Sequence, residues 1–188
     1  DRNAERFWLL DPIDGTTHFI RGIPFCTTML ALIEDGVVNY SVIYNFVLDE
    51  MYVAERGQGA TLNGKEIKVS NRPLAGAYLG YESKTAVDRN RDLQEKVRAY
   101  KVALVHTINC GYEFGLVASG KLDGRLQVEP YGSDYDFAPG SLLVEEAGGV
   151  VANLGTNTYD YKNLSFLATN PVVYRELTEG PDAIFPIP

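Results

Sequence analysis

Hydrophobic and polar positions change their period near residue 76. From residue 7 to about residue 71 the chain runs in short apolar stretches rich in Val, Ile, Tyr and Phe, separated by turn signals, which is the pattern of β-strands. Residues 25–33, then Glu34-Asp35-Gly36, then residues 37–46 predict an antiparallel hairpin closed by Asp-Gly. Residues 51–54 continue the meander, and turns at 56–60 and at Asn63-Gly64 lead to a further strand at Ile67-Lys68-Val69. Residues 1–76 are therefore expected to form a mostly antiparallel sheet.

The second stretch, 77–188, mixes strand and helix periods. Strands are expected at 77–81, 101–105, 126–128, 150–151 and 164–168. A charged surface helix is expected over 88–100, and an apolar one over 111–119 with Phe114, Leu116 and Val117 at helical spacing, ending at Gly120. Residues 136–147 read as a third helix, with Pro139 in its first turn and Gly148-Gly149 ending it, and residues 172–177 as a last one. With no internal repeat or low-complexity tract, the pattern is that of a layered α/β (mixed α+β) protein. The two stretches are expected to make one unit with a site between them.

Length and charge narrow the classes. A chain of 188 residues, 45% hydrophobic, can bury a sizeable core. No run approaches a membrane span of about 18 apolar residues, and no secretory leader precedes the first strand. The net charge of −8 argues against a nucleic-acid polymer or an anionic membrane as partner, and taken alone against a phosphorylated substrate. Two cysteines, Cys26 and Cys110, have no metal-type spacing and make no disulfide framework, so a reducing cytoplasm is expected. Because the chain starts at Asp1 with a core strand only a few residues on, it reads as a segment of a longer protein.

Two segments carry chemistry. In Trp8-Leu9-Leu10-Asp11-Pro12-Ile13-Asp14-Gly15-Thr16-Thr17 a buried strand runs into two carboxylates three residues apart, with Pro12 fixing the turn and Gly15 admitting a ligand close to the backbone. Oxygen ligands at a strand end suit Mg²⁺. A helix opening at Gly15-Thr16-Thr17 would add free backbone N–H groups for an anion. The same residues also fit an ordinary strand end, with Asp14-Gly15 as a turn pair and Asp11 as a cap. In Tyr135-Asp136-Phe137-Ala138-Pro139-Gly140, followed by Glu145-Glu146-Ala147-Gly148-Gly149, Asp136 starts a helix, where it serves either as an N-cap or as a carboxylate aimed at a metal.

Together, WLLDPIDGTTHF at 8–19 and YDFAPGSLLVEEAGG at 135–149 resemble the two signatures of the inositol monophosphatase superfamily, Mg²⁺-dependent, lithium-sensitive phosphatases. The turns at 57–64 and the segment 114–124 follow that family's order, so the resemblance covers nearly the whole chain. It implies the layered αβαβα sandwich of that family, here without its first two helices. It implies two or three Mg²⁺ ions, with Asp11 bridging two of them, the Ile13 carbonyl on the first, and Asp14 and Asp136 completing the second. Gly15 and Thr16 would contact phosphate, the Thr16 hydroxyl would orient the attacking water, and Asp136 would also border the substrate. Asn109 and Cys110, in the segment 108–111, would line the substrate pocket. Glu129 falls where the family places a carboxylate that binds substrate hydroxyls, although a solvated strand-end Glu reads equally well. His18 and His106 are not spaced as ligands and read as local hydrogen-bonding residues.

The departures bear on substrate and competence. Ile108 stands for a Gly, Tyr135 for a Trp, Pro139 for an Ala and His18 for an Asn, which leaves the metal carboxylates intact. The family's remaining ligand, a glutamate, would precede Asp1, so this segment alone is expected to be weak or inactive. The implied reaction is in-line displacement on a small sugar or polyol phosphate, inositol monophosphate first, by a water that Mg²⁺ makes more acidic. Histidinol phosphate, fructose 1,6-bisphosphate and 3′-phosphoadenosine nucleotides are the other substrates in view, and a non-catalytic metal- or polyol-binding relative is the rival class. A homodimer and inhibition by Li⁺ complete the expectation. Bound metal would also turn an acidic pocket positive towards phosphate, which removes the objection raised by the net charge.

Overall fold

A computed structural model describes residues 4–84, 88–105 and 109–187. Strand β1 (Arg6–Asp14) passes through the short helix α1 (Thr16–Arg21) into β2 (Thr27–Glu34), β3 (Val37–Asn45), β4 (Glu50–Glu55), β5 (Gly59–Leu62) and β6 (Lys65–Glu66). These six strands pair antiparallel in chain order. The Asp-Gly hairpin forms as expected, with Asp35 and Gly36 both at positive φ (50° and 78°), the twist that suits a two-residue turn. Alternation then sorts the side chains. Leu9, Met29, Ala31, Ile33, Ile43, Tyr52 and Ala54 are buried on one face, while Trp8 and Leu10 remain about half exposed on the other.

The second half builds β7 (Tyr78–Ser83), α2 (Asp88–Arg98), β8 (Ala103–Val105), α3 (Cys110–Ala118), β9 (Gly124–Val128), α4 (Asp134–Glu146), β10 (Val150–Asn153), β11 (Phe166–Thr169) and α5 (Pro171–Thr178). Its five strands order as β10-β11-β9-β7-β8. β7 is parallel to both β8 and β9, and the other pairs are antiparallel. Helices α3 and α4 are sandwiched between the two sheets: Phe114, Phe137, Leu142 and Leu143 share one core with Met29, Ile43 and Tyr52 of the first sheet and Phe166 and Ala168 of the second. On the far side of the second sheet, Val97 of α2 and Val173 and Leu177 of α5 cover Leu79, Leu126 and Leu167. The described residues thus stack as sheet, helices, sheet, helices, the α/β layering expected from the sequence.

Two local expectations are corrected. Ile67-Lys68-Val69 is not a strand: β6 stops at Glu66, and the run crosses to the end of α4, where the Val69 amide donates to the Ala147 carbonyl at 3.0 Å. Helix α4 begins two residues before Asp136, because Ser133 takes the N-cap and Asp136 becomes the third helical residue. Pro139 consequently sits inside the helix, past the first turn.

A buried carboxylate ties the second sheet to the segment that enters it. Asp123, 1% exposed, accepts from Ser70 Oγ at 2.6 Å, Arg72 Nε at 2.7 Å and the Tyr78 amide at 2.8 Å. Replacing it by Ala strands three donors. Asp123→Ala should therefore cost about 2–3 kcal/mol of stability, read as a lowered urea midpoint with an unchanged slope.

Candidate active site

The geometry of the site starts with an irregularity in β1. Asp11 pairs with Met29 and Asp14 with Thr27, so β1 advances three residues where β2 advances two. Residues three apart on a regular strand point to opposite faces. The extra residue restores the phase, so both carboxylates turn to the helix-facing side of the sheet. Pro12, which has no N–H to give a ladder, is tolerated at such a bulge, and its carbonyl accepts from Thr28 Oγ1 at 2.9 Å. Gly15 then ends the strand at φ +79°. A Cβ there would stand 2.7 Å from Asn109 Nδ2 and 2.9 Å from the Phe25 carbonyl, so only glycine lets α1 start this close to α3.

The first turn of α3 grips Asp14. Its Oδ2 accepts from the Gly111 amide at 2.6 Å and from the Cys110 thiol at 3.4 Å. Asn109 caps that helix, accepting from the Tyr112 amide at 2.6 Å. Asp136, in the first turn of α4, accepts from the Ser133 amide at 2.5 Å and is hydrogen-bonded to Asp11. Cys110 Sγ also donates to the Asp136 carbonyl at 3.0 Å, and the Asp14, Cys110 and Asp136 ligand atoms all lie within 4.8 Å of one another. Burial, with Asp14 alongside, pushes the Cys110 thiol well up, so it acts as a hydrogen-bond donor.

The carboxylates carry uncompensated charge. Burial first, then Asp11, raises Asp14 above the usual carboxylate range. Burial, the hydrogen bond that protonated Asp136 donates to Asp11, and the Asp11 and Asp14 charges push Asp136 up to about 7. Hard oxygen donors that hold a proton this tightly form a set a divalent cation can take over. They border a cleft of 370 Å³ whose lining includes Asp14, Asn109, Cys110 and Asp136 together with Glu82, Arg125 and Tyr131.

Other expected residues fall at various distances from this cluster. The Ile13 amide donates to Asp11 Oδ1 at 3.1 Å, and its carbonyl accepts from Thr16 Oγ1 at 2.9 Å. Glu129 is exposed, at φ +51°, with Oε2 accepting from Asn90 of α2 at 3.2 Å, and it does not line the cleft. His18 is buried, and its Nδ1 has no hydrogen-bond partner among the described residues. His106 and Ile108 lie outside the described residues.

Sequence reasoning missed a buried polar group beside the cluster: Glu82, Glu113, Arg125 and Gln127. Arg125 pairs with Glu82 at 2.6 Å and with Glu113. The available signal was local. Glu113 is the one charged residue in the apolar stretch 111–119, and Arg125 immediately precedes the expected strand at 126–128.

The sequence model of the inositol monophosphatase family matches residues 1–181. The chain belongs to that family. Inositol monophosphatase 1 of Solanum lycopersicum is 33% identical over 190 residues, covering 96% of this chain and 68% of the relative. Inositol monophosphatase 3 of the same plant is 36% identical over 177 residues, covering 88% and 64%. The solved inositol monophosphatase of Anabaena (Nostoc) sp. PCC 7120 superposes with a TM-score of 0.83 at 28% identity, covering 92% of this chain and 69% of its own. The chain thus spans about two thirds of the length of these relatives. Inositol monophosphatases are phosphoric monoester hydrolases.

The sign of the electrostatics can be tested without substrate. Burial and the neighbouring carboxylates push Asp136 up to about 7 from the ordinary 3.8, so the folded state binds the extra proton. Stability of the metal-free protein should therefore fall as pH rises from about 4 through about 7. Asp136→Asn, whose side-chain oxygen can still accept from Ser133, should flatten that dependence and raise the melting temperature in chelator at pH 8. Thermal melts across the pH range decide it.

Proposed function

We propose that this chain carries the Mg²⁺-dependent site of a phosphomonoesterase acting on a small sugar or polyol phosphate, with inositol monophosphate as the first substrate. The observation that carries the reading is the convergence of Asp11, Asp14 and Asp136 from two distant segments, where burial first and then the neighbouring carboxylates push Asp14 and Asp136 above the usual carboxylate range. Asp11, Asp14, Asp136 and the Ile13 carbonyl would hold the ions. Bound there, Mg²⁺ supplies Lewis acidity, making an attacking water more acidic and offsetting charge on the leaving oxygen.

The chain's own groups divide the remaining work. The Thr16 hydroxyl gives its proton to the Ile13 carbonyl, which leaves its oxygen as an acceptor for a water and so able to orient it. Gly15 brings backbone close to where phosphate would sit, and Asn109 flanks it. The Gly111 amide and the Cys110 thiol fix Asp14 in place. Among the described residues no helix is long and apolar enough to cross a membrane, and a homodimer in a reducing cytoplasm accompanies this reading.

Phosphate release should be measured with the natural full-length polypeptide on inositol 1-phosphate, histidinol phosphate, fructose 1,6-bisphosphate and 3′-phosphoadenosine 5′-phosphate. Turnover should require Mg²⁺ and fall on adding Li⁺. Asp14→Asn should lower it by at least about a hundredfold with a circular-dichroism spectrum unchanged. Tight Mg²⁺ binding without turnover of any ester would favour a non-catalytic relative instead.

A further inference from the structure

The cleft that contains Asp14 and Asp136 has another acidic wall that phosphate chemistry leaves unused. Glu82, on β7, lines it with a side chain 28% exposed. Its two oxygens are fixed separately: Oε2 accepts from Arg125 Nη2 at 2.6 Å and Oε1 from the Tyr131 amide at 3.2 Å. Arg125 is itself immobilised. Its side chain is 3% exposed, it pairs also with the buried Glu113 of α3, and its guanidinium lies 5.4 Å from the centre of the Phe114 ring. Gly80 makes the room: a Cβ there would stand 2.5 Å from Glu113 Oε2 and 3.5 Å from Arg125 Cγ.

One cation between two carboxylates leaves this group with a surplus negative charge. Arg125 and Glu113 already form a balanced buried pair, so packing alone gives no reason for the third member, which is the most exposed of the three. With one lone pair of each oxygen committed, Glu82 retains acceptor capacity on both. Beside it in the strand register stands Gln127. Leu126 and Val128 pack into the core on the far side of the sheet, so Gln127 shares the face of Arg125. It is fully buried, and neither end of its amide has a hydrogen-bond partner among the described residues. Leaving such groups unpaired costs about 1–3 kcal/mol each, which a polar ligand group or a bridging water would offset.

We propose that Glu82 is the specificity-determining residue of this cleft, accepting hydrogen bonds from hydroxyls of the sugar or polyol that carries the phosphate, with Arg125 as its positioning residue. This rests on the phosphatase reading above. The Glu82 charge also repels a second phosphate on the substrate, so it selects polyol monophosphates over bisphosphates.

The test compares inositol 1-phosphate with phenyl phosphate, an ester without hydroxyls, in the natural full-length polypeptide with Mg²⁺. Glu82→Gln leaves the Arg125–Glu113 pair balanced and should fold. It should raise KM for inositol 1-phosphate roughly tenfold to a hundredfold, the loss of a charged hydrogen bond, and leave phenyl phosphate within about twofold. Arg125→Lys keeps the charge without the fork; it should raise the same KM, and its effect should vanish in the Glu82→Gln background. An unchanged KM for inositol 1-phosphate, or equal losses on both esters, would overturn the proposal. Should the wild type hydrolyse neither ester, the phosphatase reading falls instead. Calorimetric binding of the two esters then decides: preference for inositol 1-phosphate lost in Glu82→Gln supports the assignment, and identical selectivity in both proteins overturns it.

Discussion

Three aspartates held where their charges repel are the constraint on which this architecture turns. Asp11 and Asp136 share a hydrogen bond, Asp14 lies beside them, and Asp136 keeps its proton to about neutral pH. Like charges do not assemble unaided. The scaffold forces them together with one extra residue in β1, an amide and a thiol from the first turn of α3 on Asp14, and the first turn of α4 presenting Asp136. Both helices are wedged between two sheets through Phe114, Phe137, Leu142 and Leu143, so neither N-terminus can retreat from the other. Their positive ends face the cluster and offset part of its charge.

What the sequence made legible was whatever its local chemistry could encode. Asp-Gly in the hairpin and Pro12 between two carboxylates each carry their conformation in residue type. Asp136 was placed at a helix start and proved to be its third residue, since a Ser three positions earlier caps as well as an Asp. Ile67 to Val69 looked like a strand because its alternation reports burial rather than pairing. The Val69 amide bonds α4 instead.

The acidic wall of the cleft was illegible for a different reason. Glu82 and Arg125 meet because β7 and β9 pair in parallel, and Glu113 joins them from α3. Parallel neighbours are set by crossover topology, which no short window of sequence contains. Glu129 had the residue type and spacing from Asp136 that the resemblance required. It stands exposed on a left-handed backbone, where its carboxylate bonds Asn90.

The net charge of −8 acquires a spatial meaning here. The cleft is acidic at Asp14 and Asp136 and again at Glu82, and Arg125, the one cation in its lining among the described residues, is spent between two carboxylates. On the proposed reading a phosphate would find attraction where a divalent cation takes up the aspartates, because there the local charge inverts. Hydroxyls are favoured at the other wall, where a carboxylate accepts hydrogen bonds and repels anions. The proposed ester would then be oriented by that contrast, phosphate towards the aspartates and polyol towards Glu82. An acidic protein can in this way bind an anionic substrate in a single direction.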